Sequence, residues 1–326
     1  MRLALCLCAF FPVFGYGQDL FRYHGDPIPA KVENMYVKGL NYLVSTQDKN
    51  SGTWSDSYGS QPGVIGLAIL AILAHGEDPN FGPYSAVVKR GVGAILRQAN
   101  KQTGYIGSSM YNHGFATLAL AEVYGTVNDE RIGPALKRAV EMILTSQENN
   151  TLGGWRYSPG SSDADTTVSG AQMVALFAAK NAGFAVPDKA FKRGLAYYKS
   201  MQSTDGGFGY SSPGGSNGPR TAIGALVFAL GKQKDSKEFK SAFRYIQQVG
   251  FQEGSYPYYY IYYAAQAMFH GDMKAFGKWN EKNQRWLSAT QGTDGSWSGS
   301  HGPTFSTASA LLSLAVNYRL VPIYER

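Results

Sequence analysis

A chain of 326 residues with 44% hydrophobic and 16% charged side chains has the composition of a folded globular protein with a large core. Its 30 basic residues against 23 acidic ones give a net charge of +7. They are scattered along the sequence, which excludes the clustered basic footprint of a nucleic-acid binder. Both cysteines, Cys6 and Cys8, lie near the start, so the chain beyond them has no disulfide framework, cysteine nucleophile, thioester or zinc–thiolate site.

The first element is a leader. Arg2 precedes an apolar run from Leu3 to Phe14, and Gly15-Tyr16-Gly17 follows before Gln18. This order of a basic start, an apolar stretch and small residues predicts a secretory signal peptide over residues 1–17, cleaved after Gly17. The run is too short to span a bilayer, and later apolar runs such as GVIGLAILAILAHG are short and broken by glycine, so no transmembrane segment is expected. The predicted product is an exported, soluble chain, residues 18–326, in a single domain.

Six similar units then follow, their aromatic anchors Trp54, Tyr105, Trp155, Phe208, Tyr256 and Trp297 recurring at intervals of about 41 to 53 residues. In the first unit Lys38-Gly39, Tyr42-Leu43 and Gln47 precede the turn that carries Trp54, and an apolar segment from Val64 to Leu73 comes after it. The second keeps Arg90-Gly91, places Gln98 one position early, and continues with Phe115 to Val123 after Tyr105. The third has Gln147, Trp155 and then Val168 to Ala179. The fourth has Arg193-Gly194, Tyr197-Tyr198, Gln202 and Phe208, then Ala222 to Leu230. In the fifth Gly250 replaces the glutamine, Tyr256 follows, and the apolar stretch is Ile261 to Met268. The sixth has Trp286-Leu287, Gln291 and Trp297, then Thr307 to Val316.

Before each turn the apolar residues recur at three and four, as in Val87, Gly91, Ile95 and in Ala135, Ala139, Ile143, which predicts an amphipathic helix. After each turn the segment is apolar nearly all round, and a helix without a polar face must be buried. The unit is therefore an outer amphipathic helix, a glycine turn and an inner apolar helix. An open solenoid needs atypical, solubilising end units, whereas here the first and last units carry the strongest motifs. That favours a closed ring of six helical hairpins.

The stretches KGLNYLVSTQDKNSGTW and KNQRWLSATQGTDGSW resemble the repeat of the squalene cyclase and prenyltransferase superfamily: a basic residue, an aromatic-Leu pair, Gln, a short spacer and Gly-x-Trp. The resemblance covers essentially the whole chain after the leader. It implies an all-α fold, an α/α toroid with six inner helices around a cavity and six outer helices around those. It also implies structural roles for the Gln and Trp residues, the Gln amide satisfying free N–H groups at a neighbouring helix start while the Trp ring packs over it. The zinc-dependent protein prenyltransferases and the thioester-bearing branch of the superfamily both need a cysteine that the chain lacks beyond its leader. No cofactor and no metal are expected.

Asp163-Ala164-Asp165-Thr166-Thr167 resembles the Asp-x-Asp-Asp-Thr acid motif of squalene–hopene-type cyclases, which implies a catalytic acid at Asp165 with Asp163 before it; Thr166 replaces the last Asp. The alternative is capping: Asp163 at a helix start, with Asp165 in the first turn favoured by the helix dipole. If the ring forms, the starts of the inner helices converge on one rim. The side chains delivered there are Gln61; Tyr111, Asn112 and His113; Asp163 and Asp165; Asn217 and Arg220; Tyr258, Tyr259 and Tyr262; and His301, Thr304 and Phe305. His113 and His301 fall in corresponding places of the second and sixth units. Arg220 at a helix start opposes the helix dipole, so a carboxylate such as Asp163 or Asp165, or an anionic ligand, is its expected partner. The tyrosines of YPYYYIYYAAQAMF at helical spacing form either a packing face or a ligand wall suited to an isoprenoid chain or a sugar ring.

Three functions remain open on this reading. One is binding of a hydrophobic, isoprenoid-like ligand in the central cavity, with or without cyclase chemistry. The second is a carbohydrate-active enzyme using Asp163 or Asp165 with Arg220 or His113, and the third is a non-catalytic scaffold. Fold analogy alone does not choose among them.

Overall fold

The computed structural model describes residues 28–57, 59–250 and 256–318. The leader predicted over residues 1–17 and its cleavage site lie outside the described residues. Twelve α-helices are present among the described residues: α1 (Ala30–Thr46), α2 (Pro62–Leu73), α3 (Ser85–Gln98), α4 (Met110–Val123), α5 (Ile132–Glu148), α6 (Thr166–Asn181), α7 (Asp188–Ser200), α8 (Gly218–Leu230), α9 (Lys237–Gln248), α10 (Pro257–Gly271), α11 (Met273–Thr290) and α12 (Pro303–Ala315). The few β-bridges among the described residues are isolated ones in the turns. None of the described helices is long and apolar enough to cross a membrane.

The even-numbered helices pack on one another in chain order, and α12 returns to pack on α2, so the inner ring closes. The odd-numbered helices form the outer ring. The polarity difference in the sequence explains the division. In α2 every residue from Pro62 to Ile72 is buried, whereas α9 buries only Glu238, Phe239, Ala242 and Ile246 and turns the rest of its polar face to solvent. The fold is thus the all-α toroid of six hairpins that the repeats predict. Each inner helix starts two to five residues earlier than its apolar stretch; in α4, α6 and α8 the start is set by a capping residue, Ser109, Asp165 or Asn217, whose side chain accepts a first-turn N–H.

The Gln and Trp of the repeat join neighbouring units. The Nε2 group of Gln47 donates to Gly52 O in its own turn at 3.1 Å and to Val87 O of the next outer helix at 3.0 Å. Gln147 does the same with Gly153 and Ala190, and Gln202 with Gly206 and Glu238. The expected role is therefore corrected in sign: the amide supplies donors to carbonyls instead of accepting from helix-start N–H groups. A carbonyl has a second lone pair free for such a donor. Each tryptophan ring is buried beneath its turn, with the indole N–H of Trp54, Trp155 and Trp297 donating to Leu43 O, Ile143 O and Leu287 O.

Closure reuses the same parts. Gln291 donates to Met35 O in α1 at 2.9 Å, and a Cβ on Gly295, whose φ is +87°, would stand 2.3 Å from Lys38 O. Only a glycine can hold this left-handed turn so close to the first outer helix. Asp56, from the first turn, caps α12 by accepting the Phe305 N–H on Oδ2 at 2.7 Å. The first and last units are bonded as neighbours, and no polar end unit is required.

Candidate functional site

Because the inner helices all run the same way, their N-termini gather at one end of the ring, around a cavity of about 710 Å³. It is lined by Gln61, Gly63, Val64 and Leu67 from the start of α2, by Ser108, Ser109, Tyr111, Asn112 and Phe115 from α4, and by Thr167 of α6. Pro219 and Arg220 of α8 with its cap Asn217, Tyr259 of α10 with the preceding Tyr256, Phe305 of α12 with His301 just before that helix, and the turn tyrosines Tyr157 and Tyr210 complete it.

Aromatic rings form most of the wall in a linked series. Tyr111 lies 5.5 Å from Phe115 and 6.2 Å from Tyr259 between ring centroids. Phe305 is 6.3 Å from Tyr259 and 4.9 Å from His301. The His301 ring in turn stacks on Tyr256 at 4.8 Å. The hydroxyls of Tyr111 and Tyr259 are hydrogen-bonded to each other, and those of Tyr157 and Tyr210 meet at 3.0 Å. Burial raises the pKa of both Tyr111 and Tyr259 above the ordinary phenol range, so both remain neutral. Next to Tyr111 on α4, Asn112 donates to Gln61 Oε1 at 2.8 Å and to Ser109 Oγ at 3.2 Å.

Of the predicted site residues, Tyr111, Asn112, Arg220, Tyr259, His301 and Phe305 face this cavity, and His113, Asp163, Asp165, Tyr258 and Tyr262 do not. His113 is wholly buried. Its Nδ1 accepts the Ile106 N–H at 3.1 Å and its Nε2 pairs with Ala139 O at 3.0 Å, so it ties its own turn and α5 to α4. It does not correspond to His301: His113 is the fourth residue of α4, while His301 precedes α12. Tyr258 turns away from the cavity toward Trp286 of α11, its ring 5.2 Å away. Tyr262 lies one turn further into the barrel, against Phe115 and Tyr263.

The cap predicted for Asp163 belongs to Asp165, and neither aspartate stands in the first turn of α6. Asp165 is the N-cap of α6, its Oδ1 accepting from Thr167 N and Val168 N, both at 2.8 Å, and from Thr167 Oγ1 at 2.6 Å. Asp163 is exposed and caps nothing. The cap position follows from where the chain enters the helix. Asp165 N donates to Trp155 O and Thr166 N to Tyr210 O, which holds the backbone extended up to Asp165. The arginine beside both carboxylates is Arg156, 3.4 Å from each, and not Arg220. Burial pushes the Asp165 carboxyl above the ordinary aspartate range, while its donors and Arg156 pull it back. All the donors point at the carboxylate, which is the arrangement of an acceptor. Asp165→Ala is expected to destabilise the fold by about 0.5–2 kcal/mol in urea titrations. Asp165→Asn, which keeps the accepting Oδ1, should cost clearly less; equal losses would contradict the capping role.

The cavity also contains residues that sequence reasoning missed. Tyr157 and Tyr210 each stand two places after a turn anchor, in WRY and FGY, and that offset was the available signal. Tyr256, expected to anchor its turn like the buried tryptophans, is 46% exposed at the mouth. Among the described residues no three His, Asp or Glu side chains converge where a metal ion could sit.

A family model described as Domain of unknown function (DUF6288) matches residues 33–305. No curated protein matches the sequence. Among solved structures the chain resembles the type II terpene cyclase MstE from Scytonema, with 15% identity over 90% of this chain and 99% of that one and a TM-score of 0.63. It is also similar to the GH76A alpha-1,6-mannanase of Salegentibacter sp. HEL1_6, at 8% identity over 89% of this chain and 99% of that one with a TM-score of 0.67. A glycoside hydrolase family 76 mannosidase, Bt3792 from Bacteroides thetaiotaomicron VPI-5482, gives 10% identity, the same two coverages and a TM-score of 0.69. At these identities the likeness is one of fold.

Proposed function

This chain belongs to the family described as Domain of unknown function (DUF6288), and from that premise we propose that it binds a hydrophobic, isoprenoid-like ligand in the central cavity. The observation that carries the reading is the wall: a continuous aromatic series around about 710 Å³ of space, with Val64, Leu67 and Pro219 completing the apolar surface. Binding pockets for small molecules have this size and this mixture of apolar wall and few polar groups. Tyrosines kept neutral present flat apolar faces to a chain and hydroxyls to one another. The terpene cyclase MstE has been solved with geranylgeranyl dihydroxybenzoate, which supports the size class of the ligand.

Acid-initiated cyclisation at Asp165 is not part of this proposal. An acid catalyst must reach the alkene with a proton to give, and Asp165 lies outside the cavity wall, its carboxylate accepting hydrogen bonds from Thr167, Val168 and Arg156. The carbohydrate reading has support in the mannanase, solved with alpha-1,6-mannotetrose. Glycoside hydrolysis, however, uses two carboxyl groups flanking the scissile bond, and none of the described residues lining the cavity is Asp or Glu. Export of the mature chain after Gly17 belongs to the same proposal, supported by the order of residues in the leader.

The test is calorimetric titration with farnesol and, separately, with alpha-1,6-mannotetrose. Saturable binding of farnesol is expected, weakened in Val64→Trp, whose larger side chain intrudes on the cavity. Saturable binding of the oligosaccharide without binding of farnesol would overturn the reading.

A further inference from the structure

The cavity wall has a single permanently charged side chain among the described residues, Arg220. No described residue lining the cavity is a carboxylate that would balance it. Arg220 Nε donates to Asn217 Oδ1 at 2.9 Å, and the same oxygen accepts the Arg220 backbone N–H at 3.0 Å. Asn217 therefore acts twice: it caps α8 and sets the direction of the guanidinium. Among the described residues the two terminal nitrogens have no hydrogen-bond or ion-pair partner. The guanidinium carbon also lies 5.9 Å from the centre of the Tyr210 ring. The neighbouring arginine shows the contrast. Arg156 also lies against Tyr210, at 5.0 Å, but is committed to Asp163 and Asp165.

A half-buried guanidinium at the start of a helix is doubly unfavourable. Burial disfavours its charge, and the positive end of the helix dipole repels it. The direction of its pKa agrees, lowered chiefly by burial. Nothing in the packing of α8 calls for a cation there, since its neighbours Gly218, Pro219 and Thr221 are buried through small, uncharged groups. Such a group is explained when its counter-charge arrives with a ligand. Two parallel N–H donors with no partner among the described residues match an oxyanion presenting two oxygens.

We propose that the ligand of this cavity is an amphiphile whose anionic head, a carboxylate or phosphate group, is held by the free edge of the Arg220 guanidinium while its apolar chain lies along the aromatic wall. The inference rests on the hydrophobic-ligand reading above and adds a head group to it. The remaining polar lining residues are uncharged, so one oxyanion satisfies the site.

The experiment compares three probes that share one chain: farnesyl phosphate, farnesoic acid and farnesol, titrated at neutral pH into the wild type, Arg220→Gln and Arg220→Lys. In the wild type both anionic probes should bind at least tenfold more tightly than farnesol. Arg220→Gln should bring both anionic probes to the affinity that the same variant shows for farnesol, and Arg220→Lys should keep part of the preference. A preference for only one anionic probe identifies the head group within the proposal. Equal binding of all three by the wild type would overturn the head-group assignment and leave the hydrophobic reading standing, as would a preference that survives in Arg220→Gln. Binding of none of the three would sink the hydrophobic reading itself.

Discussion

Replacing Trp155 by alanine will destabilise the fold by about 3–5 kcal/mol, the range for removing a large aromatic side chain from a core. That is a large share of the 5–15 kcal/mol by which domains are stable at all. The indole is 2% exposed. It donates its N–H to Ile143 O near the end of α5 at 2.9 Å, and its own backbone N–H donates to Ser169 Oγ of α6 at 2.8 Å. One residue thus joins an outer helix, a turn and an inner helix. Its carbonyl also accepts the N–H of Asp165, so loss of the ring loosens the segment that presents the cap of α6. Chemical denaturation checks this result. A variant of full stability, altered only in ligand binding, would show that Trp155 belongs to the site and not to the packing.

The second large effect is on pH dependence. His113 has both ring nitrogens engaged and no exposure, and burial lowers its pKa from 6.5 to about 4. Protonating Nδ1 would set an N–H against the Ile106 N–H, so the neutral ring is built into the fold. Between those two pKa values the unfolded chain takes up a proton that the folded chain refuses. The stabilisation is whole above pH 6.5 and is lost as the pH falls toward 4. At about 1.4 kcal/mol per pKa unit it amounts to about 3 kcal/mol.

Asp56 and Asp165 act in the opposite sense, since burial raises their pKa values and their protonation in acid favours the folded state. They are common to wild type and variant and cancel in a difference. His113→Gln should therefore be less stable at pH 7 but show a shallower loss of stability between pH 6.5 and 4. An unchanged slope would mean that His113 titrates normally.

The repeat grammar carried the fold because it recorded two physical demands. Glycines stand where a left-handed turn presses on the next outer helix, as Gly52 and Gly295 do. The Gln and Trp stand where amide and indole donors must find carbonyls. The contrast between amphipathic and wholly apolar helices separated the rings, and strong motifs in both end units indicated closure. The same logic failed inside the inner helices. A helix buried on every side has no polar stripe, so its hydrophobic pattern has no phase. Tyr258, Tyr259 and Tyr262 look alike in sequence, yet one faces α11, one the cavity and one the barrel interior.

Helix entry had the same ambiguity. Asp163 and Asp165 are both good capping residues, and the bonds from Asp165 N to Trp155 O and from Thr166 N to Tyr210 O chose between them. Their arginine partner could not be read either, because Arg156 and Arg220 approach Tyr210 from different units. The sequence by itself determined the number of units, their turns, the two kinds of helix and the end of the ring at which a site would lie. These depend on local spacing and on burial averaged around a helix. The tertiary structure alone decided which side chains meet in the cavity, which carboxylate caps α6 and which arginine lines the cavity instead of pairing with an aspartate, because each depends on the rotation of one buried helix against its neighbours.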